Sequence, residues 1–524
     1  MSSRGMRARP ALALFCGLAL IAAACGGDDA ESTSTDAATV TTAATADTDA
    51  ATETTAATDD TEAATDTTAA TDDTEPAAES GISDETGGIG AEKFFADLTA
   101  AGENPLKAEG DPIVIGFQNP EGDPAGSFPE FSLAAEAAVE YINNELGGLG
   151  ADIANGVPGR PIELAVCKMA ITPDDSQRCA NELIADEPEL VFSSLNFFGN
   201  HFPTYAAADV PVIVITPITV GDFTSPGTYS IGGGGGCLGV HTGLVEFATT
   251  EFGDIERLGI PWADTPPGVV CYYDLEKKPV DVLNGSVPGD AERAGSQPNL
   301  TSLGVPVKPA TPDVTPLVTE ILDFDPDAII YSGQGADCWN WVDGMGRLGW
   351  TPDSIPLVLS GACIDFEAMA AAGDLAKGIY FVGAPGAVLN PIDTIEDPRD
   401  KFEATIYQTK LIEYGLDPDE LFKGFATQGA TGLLSLWSYA SRIAADGGEV
   451  TGETLGEAYA TSAGDHLFGS TPISCSTAPP PYVAVCNSQV SATQWDGEQL
   501  VPVRSRFTGL DLVAGTELKP GPDS

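Results

Sequence analysis

The chain has 524 residues, with 78 acidic side chains against 23 basic ones and a formal net charge of −55. A surface so acidic repels phosphate backbones, which argues against nucleic acid as a partner. The excess runs along the whole chain: residues 1–90 hold 17 acids and 3 bases, and the remainder holds 61 and 20.

At the N-terminus, Arg4, Arg7 and Arg9 precede an apolar run from Ala11 to Ala24. That run is shorter than the roughly 20 residues a membrane-spanning helix needs, and it suits the apolar core of a secretory signal. Small residues then lead into a cysteine, Ile21-Ala22-Ala23-Ala24-Cys25-Gly26-Gly27. The run resembles the bacterial lipobox, with Ala22 where that motif usually has leucine. The resemblance implies a signal peptide over residues 1–24 and diacylation of Cys25. The mature chain is then anchored by lipid to the cell membrane, on its extracytoplasmic side. The alternative is plain secretion after an Ala-x-Ala cut.

Residues 25–90 are mostly Thr, Ala, Asp and Glu, and Thr54–Glu62 recurs letter for letter as Thr67–Glu75. No lysine or arginine stands between Arg9 and Lys93. Such a composition buries too little apolar area to offset the entropy of ordering, so it is expected to be an extended tether. Beyond it about 430 residues remain, enough for two or three domains.

Eight cysteines follow the anchor: Cys167, Cys179, Cys237, Cys271, Cys338, Cys363, Cys475 and Cys486. An even number in an exported domain reads as disulfides, and the spacing favours sequence neighbours although connectivity stays open. A metal site is not expected, since no Cys-x-x-Cys occurs and His201, His241 and His466 are far apart in sequence. Nor does any motif ask for a cofactor.

After an amphipathic segment over Ala91–Ala101, strands and helices alternate. The β-branched run from Ile113 to Phe117 predicts a strand buried on both faces. Phe131–Leu146 predicts a helix stopped by Gly147 and Gly148. Strands are expected at 161–166, 190–194 and 212–216, with helices near 176–185 and 200–208 between them. A second alternation has strands at 268–273, 328–332 and 355–360 and helices at 316–322 and 337–347. Two such runs predict an α/β protein with two Rossmann-like lobes built on parallel sheets. The five glycines at 232–236 lack the Gly-Lys-Ser/Thr of a phosphate loop and read as a flexible passage between the lobes.

From about residue 110 to 510 the chain resembles the type I periplasmic binding proteins of the Leu/Ile/Val-binding family. The likeness rests on Ile115-Gly116, the helix from Ala134 to Asn143, Gly147-Gly148 and Gly159-Arg160-Pro161-Ile162. It continues through Pro173-Asp174-Asp175, the run from Cys179 to Ile184, Val210-Pro211, Asp313-Val314-Thr315-Pro316 and Asp325-Pro326-Asp327. The resemblance implies two lobes joined by a three-crossing hinge within residues 91–524. The first lobe would take about 110–238 and 365–470, and the second about 239–364 and 471–510.

It also implies a cleft residue set. Ser194 and Asn196 follow the third strand, where the family grips a ligand carboxylate; the alternative is that both cap the next helix. Thr216-Pro217-Ile218-Thr219 resembles the family's Ser-Pro-x-x-Thr, which makes Thr219 and the backbone amides near it carboxylate contacts and Thr216 either another or a strand-end hydroxyl. The loop Tyr331-Ser332-Gly333-Gln334-Gly335-Ala336-Asp337 matches the one that presents an acid to an ammonium. It nominates Gln334 and Asp337, the latter alternatively a helix cap. Tyr273 and Asp274 complete the set, although Leu275-Glu276-Lys277-Lys278 replaces the family's Tyr-Gly turn. The implied function is capture of a small polar solute, a branched-chain or related amino acid, by a monomer that delivers it to an ABC permease. A tethered sensor working through a separate membrane partner is the alternative. An enzyme is not expected, because no Gly-x-Ser-x-Gly or His-Glu-x-x-His constellation is present.

Overall fold

The computed structural model describes residues 91–123, 126–232, 236–384 and 386–514. The signal segment, Cys25, the tether and its repeat lie outside the described residues. Among the described residues no helix is long and apolar enough to cross a membrane.

The first sheet is wholly parallel. Its strands are β1 (Ile113–Pro120), β2 (Ile162–Met169), β3 (Leu190–Leu195), β4 (Val212–Thr216) and β5 (Thr228–Ser230), in the order β2-β1-β3-β4-β5. Strands β3 and β4 are buried along their whole length, as apolar runs covered by helices on both faces must be. One covering layer pairs helix Pro129–Asn144 with helix Ala426–Ala445. They approach closely because both present small residues: a Cβ on Gly429 would lie 2.2 Å from the Phe131 carbonyl oxygen. Trp437 then closes the far end, its Nε1–H donating to the Leu146 carbonyl at 3.0 Å.

The second sheet has seven strands: β6 (Arg257–Ala263), β7 (Thr301–Val307), β8 (Ala328–Tyr331), β9 (Leu357–Ser360), β10 (Tyr380–Gly383), β11 (Val490–Trp495) and β12 (Leu500–Phe507). Their order is β12-β11-β10-β9-β8-β6-β7, with β11 antiparallel to both neighbours. Helix Cys237–Glu251 lies across β8 to β11. The chain thus passes between the sheets three times: after β5, after β10 and before β11.

Two lobe boundaries move. Residues up to Gly383 stay in the second lobe, because β10 pairs between β9 and β11. Residues 471–489 side with the first: the Ser230 N–H donates to the Ala484 carbonyl at 2.7 Å, and the Cys486 N–H donates back to Ser230 at 3.1 Å. The eight cysteines are joined as Cys167–Cys179, Cys237–Cys271, Cys338–Cys363 and Cys475–Cys486.

One expected strand is a helix. Residues 268–273 fall in helix Pro266–Tyr272 and a π-helical turn, Tyr273–Lys277. The Thr265 hydroxyl accepts the Gly268 N–H at 3.1 Å and Pro266-Pro267 occupy the first turn, so capping and fixed φ override the β-branched residues behind them. The true strand is β6, which its glycine and proline had disguised. Tyr272 stacks on Trp262 of β6, with ring centroids 5.0 Å apart, and so fastens this helix to the sheet.

Candidate functional site

The carboxyl ends of strands from both sheets converge on one cleft with a cavity of about 120 Å³. Leu195 and Thr216 end β3 and β4; Ser332, Gln334, Ser360 and Gly361 follow β8 and β9; Gly383 and Ala384 close β10. Two helix starts complete the walls. Cys237, Val240 and His241 come from the first turn of Cys237–Glu251, and Phe425, Thr427 and Gln428 from the start of Ala426–Ala445. This is where open α/β sheets place their ligands, since loops beyond strand ends are free to diverge while the strands hold them in position.

The walls are apolar with polar groups set into them. Leu195, Ile218, Val240, Ile364, Leu389 and Phe425 supply the apolar part. Among the described residues no aspartate, glutamate, lysine or arginine lines the cleft. Phe425 is held by stacking on Phe131, centroids 4.9 Å apart, and by edge contact with Phe128 at 5.6 Å. Beside it, Gly424 approaches the opposite lobe so closely that a Cβ would sit 2.4 Å from the Gly361 carbonyl oxygen. Only glycine leaves the backbones that near.

Of the eight sequence-nominated contacts, Thr216 and Gln334 line the cleft. The Thr216 hydroxyl donates to Gln428 Oε1 at 2.6 Å, which leaves the Gln428 NH2 free of any partner among the described residues. The other six go elsewhere, each for a visible reason.

Ser194 is buried inside the first lobe, donating to the Gln118 carbonyl at 3.1 Å and to Asn119 Oδ1 at 2.5 Å. Asn196 is equally buried; its NH2 donates to Ser176 Oγ at 3.1 Å and its Oδ1 accepts the Phe198 N–H at 3.0 Å. It turns the chain into the segment carrying His201, which burial drives down to a pKa of about 4. Thr219 caps helix Val220–Thr224 in a capping box with Asp222. The backbone amides beside it, which the resemblance assigned to a ligand carboxylate, are taken by the chain's own: the Ile218 and Thr219 N–H groups donate to Asp222 Oδ2 at 2.8 and 2.6 Å. Asp222 is fully buried, and burial pushes its pKa up to about 7 against the pull of those hydrogen bonds.

Asp337 turns away from the cleft and accepts the Ala310 N–H at 3.1 Å. Burial raises its pKa, with that N–H pulling the other way. Tyr273 packs its ring against Tyr272 and Trp262. Asp274 is ion-paired with Lys278 one turn on. Both were placed by the misassigned strand, and the turn that follows β6 carries Pro266-Pro267-Gly268 instead.

Sequence reasoning missed Gln428, His241 and the residue behind it. Glu276 is completely buried; its Oε1 accepts the Ser332 hydroxyl at 3.0 Å and lies 2.9 Å from His241 Nδ1. No short motif joins residues so far apart in the chain. Cys237, His241 and Cys271 bring ligand atoms within 4.8 Å of one another, but both sulfurs are committed to their disulfide, so the trio offers a metal one nitrogen.

The periplasmic binding protein family matches residues 112–406, more than half of the chain. A branched chain amino acid ABC transporter protein from Thermus thermophilus, solved with bound valine, is similar at 13% identity and a TM-score of 0.59. That match covers 78% of this chain and 98% of that one. A solute-binding protein from R. palustris, in complex with 4-hydroxybenzoate, is 18% identical with a TM-score of 0.54, covering 76% of this chain and 97% of that one. A fatty acid ABC transporter substrate-binding protein from Thermomonospora curvata is 15% identical with a TM-score of 0.57, covering 80% and 98%. A search of curated proteins finds no match.

Proposed function

The chain belongs to the periplasmic binding protein family, a family of binding proteins and not enzymes, and we propose that its cleft closes on a small carboxylate with an apolar body for delivery to an ABC permease. The observation that carries this reading is the cleft itself. Strand ends from both sheets meet around apolar walls holding polar groups, with no aspartate, glutamate, lysine or arginine lining them among the described residues. A solute touching both lobes stabilises the closed arrangement over the open one, which is the physical basis of capture. The carboxylate belongs on the first lobe, where the Gln428 NH2 and the positive first turn of helix Ala426–Ala445 face it.

The sequence points to a branched-chain or related amino acid, and the related structures bind chemically different solutes. Two observations weigh against the amino-acid pose expected from sequence. The amides meant for the α-carboxylate are occupied by Asp222, and the acid meant for the ammonium, Asp337, faces Ala310. Apolar carboxylates without that zwitterionic requirement fit better. In the same reading the chain acts as a monomer, Cys25 carries the lipid, and the segment over 25–90 is a tether.

Calorimetric titration of the full-length protein with leucine, benzoate, 4-hydroxybenzoate and hexanoate tests the assignment. Micromolar binding by an apolar carboxylate is expected; if none of the four binds, the cleft is not a carboxylate site.

A further inference from the structure

We propose that His241, backed by Glu276, is the second lobe's polar contact to the solute and selects solutes that present a hydroxyl or N–H donor to it. The inference rests on the cleft being a solute site and adds the polarity of the end that meets the second lobe.

His241 sits one turn into helix Cys237–Glu251, lines the cleft, and is 13% exposed, so part of the ring meets the cavity. Behind it Glu276 is fully buried, with Oε1 bonded by Ser332 and 2.9 Å from His241 Nδ1. A carboxylate can only accept. The nitrogen beside it therefore carries a proton, and in the neutral ring Nε2 then keeps a lone pair for whatever stands in the cleft. The approach at Nδ1 is bent from hydrogen-bond geometry. Nδ1 and Glu276 Oε2 are both buried without a hydrogen-bond partner among the described residues. A buried carboxylate left half-satisfied is costly, and a donor at Nε2 polarises the ring so that its Nδ1 proton is given more fully to Glu276.

The elements that carry the pair are tied together. The disulfide Cys237–Cys271 joins the helix bearing His241 to the helix running into the turn that bears Glu276. An anionic group at Nε2 would face the Glu276 charge across a single ring, with no cation lining the cleft among the described residues to offset it. The two walls thus differ where these groups stand: the first lobe offers the Gln428 NH2 to an acceptor, and the second, which also carries the Gln334 amide, offers His241 Nε2 to a donor. That opposition orients the solute as well as selecting it.

The test compares matched solutes that differ in one hydroxyl at the end away from the carboxylate, benzoate against 4-hydroxybenzoate and hexanoate against 6-hydroxyhexanoate, by calorimetry on the full-length protein. The donor-bearing member of at least one pair is expected to bind about tenfold tighter, the yield of one good hydrogen bond. His241→Phe should erase that preference while the donor-less member still binds. Glu276→Gln can donate to Nδ1 and move the ring proton to Nε2, so it should weaken the donor-bearing member selectively. Ring-nitrogen NMR supplies a readout independent of any solute: a wild-type His241 protonated at Nδ1 supports the proposal, and one protonated at Nε2 overturns it. Equal affinities within both pairs, or a preference that survives His241→Phe, also overturn it and leave the carboxylate site intact. If no carboxylate binds at all, both readings fall together.

Discussion

Asp222 is fully buried, accepts the amides of Ile218 and Thr219 through Oδ2, and leaves Oδ1 buried without a partner. Its pKa is pushed from 3.8 to about 7. The folded protein therefore holds this proton more tightly than the unfolded chain does. Stability from this group is full below the unfolded value and is lost as pH rises through the folded one. At 1.36 kcal/mol for each pKa unit, the gap implies a loss of at most ~4 kcal/mol once the pH passes 7. Asp222→Asn keeps an oxygen to accept both amides and cannot ionise. In urea-denaturation series on both proteins, wild-type stability relative to the variant should fall by about 1.4 kcal/mol per pH unit between about pH 4.5 and about pH 6.5. A gap that stays constant over that range would refute the reasoning, because it would mean that Asp222 titrates alike in the folded and unfolded states.

Three further outcomes are expected. Gly424→Ala places a methyl where the Gly361 carbonyl stands, so it should cost about 1–3 kcal/mol in thermal stability and weaken solute binding in the same protein; unchanged values would show that the lobes give way freely. Replacing Cys338 and Cys363 together by serine opens a link of sequence separation 25, worth about 3 kcal/mol by chain entropy, and a urea midpoint equal to wild type would assign that link no stabilising role. Cys25→Ser should move the chain from the membrane to the soluble fraction with unchanged solute affinity, and a variant that stays membrane-bound removes the anchor.

Much of the architecture was legible because it is local. Apolar β-branched runs such as Val212 to Thr216, buried throughout, announce strands covered on both faces. The helix read as stopping at Gly147 and Gly148 ends at Asn144, two residues before the expected Leu146, and both glycines lie at positive φ just beyond it. Where the reading failed, local signals competed. Val269 to Tyr273 has strand composition, but Thr265 and the two prolines start a helix there, while β6 carries a glycine and a proline that a strand seldom tolerates.

The cleft was legible only in part. Thr216 and Gln334 line it because they follow strand ends, which in this architecture converge on the cleft. Thr219-Val220-Gly221-Asp222 carries the spacing of a capping box, so the loss of Thr219 to its own helix was written locally and overlooked. Nothing local marks His241, Glu276 and Gln428. They come from three elements far apart in sequence, and their meeting depends on how the helices seat on two sheets. By itself the sequence determined the alternation of strands and helices, the two lobes and the family, since these follow from periodicity and turn chemistry. Tertiary structure decided which polar groups line the cleft and which satisfy one another, because a buried donor or acceptor takes whichever partner packing brings within reach.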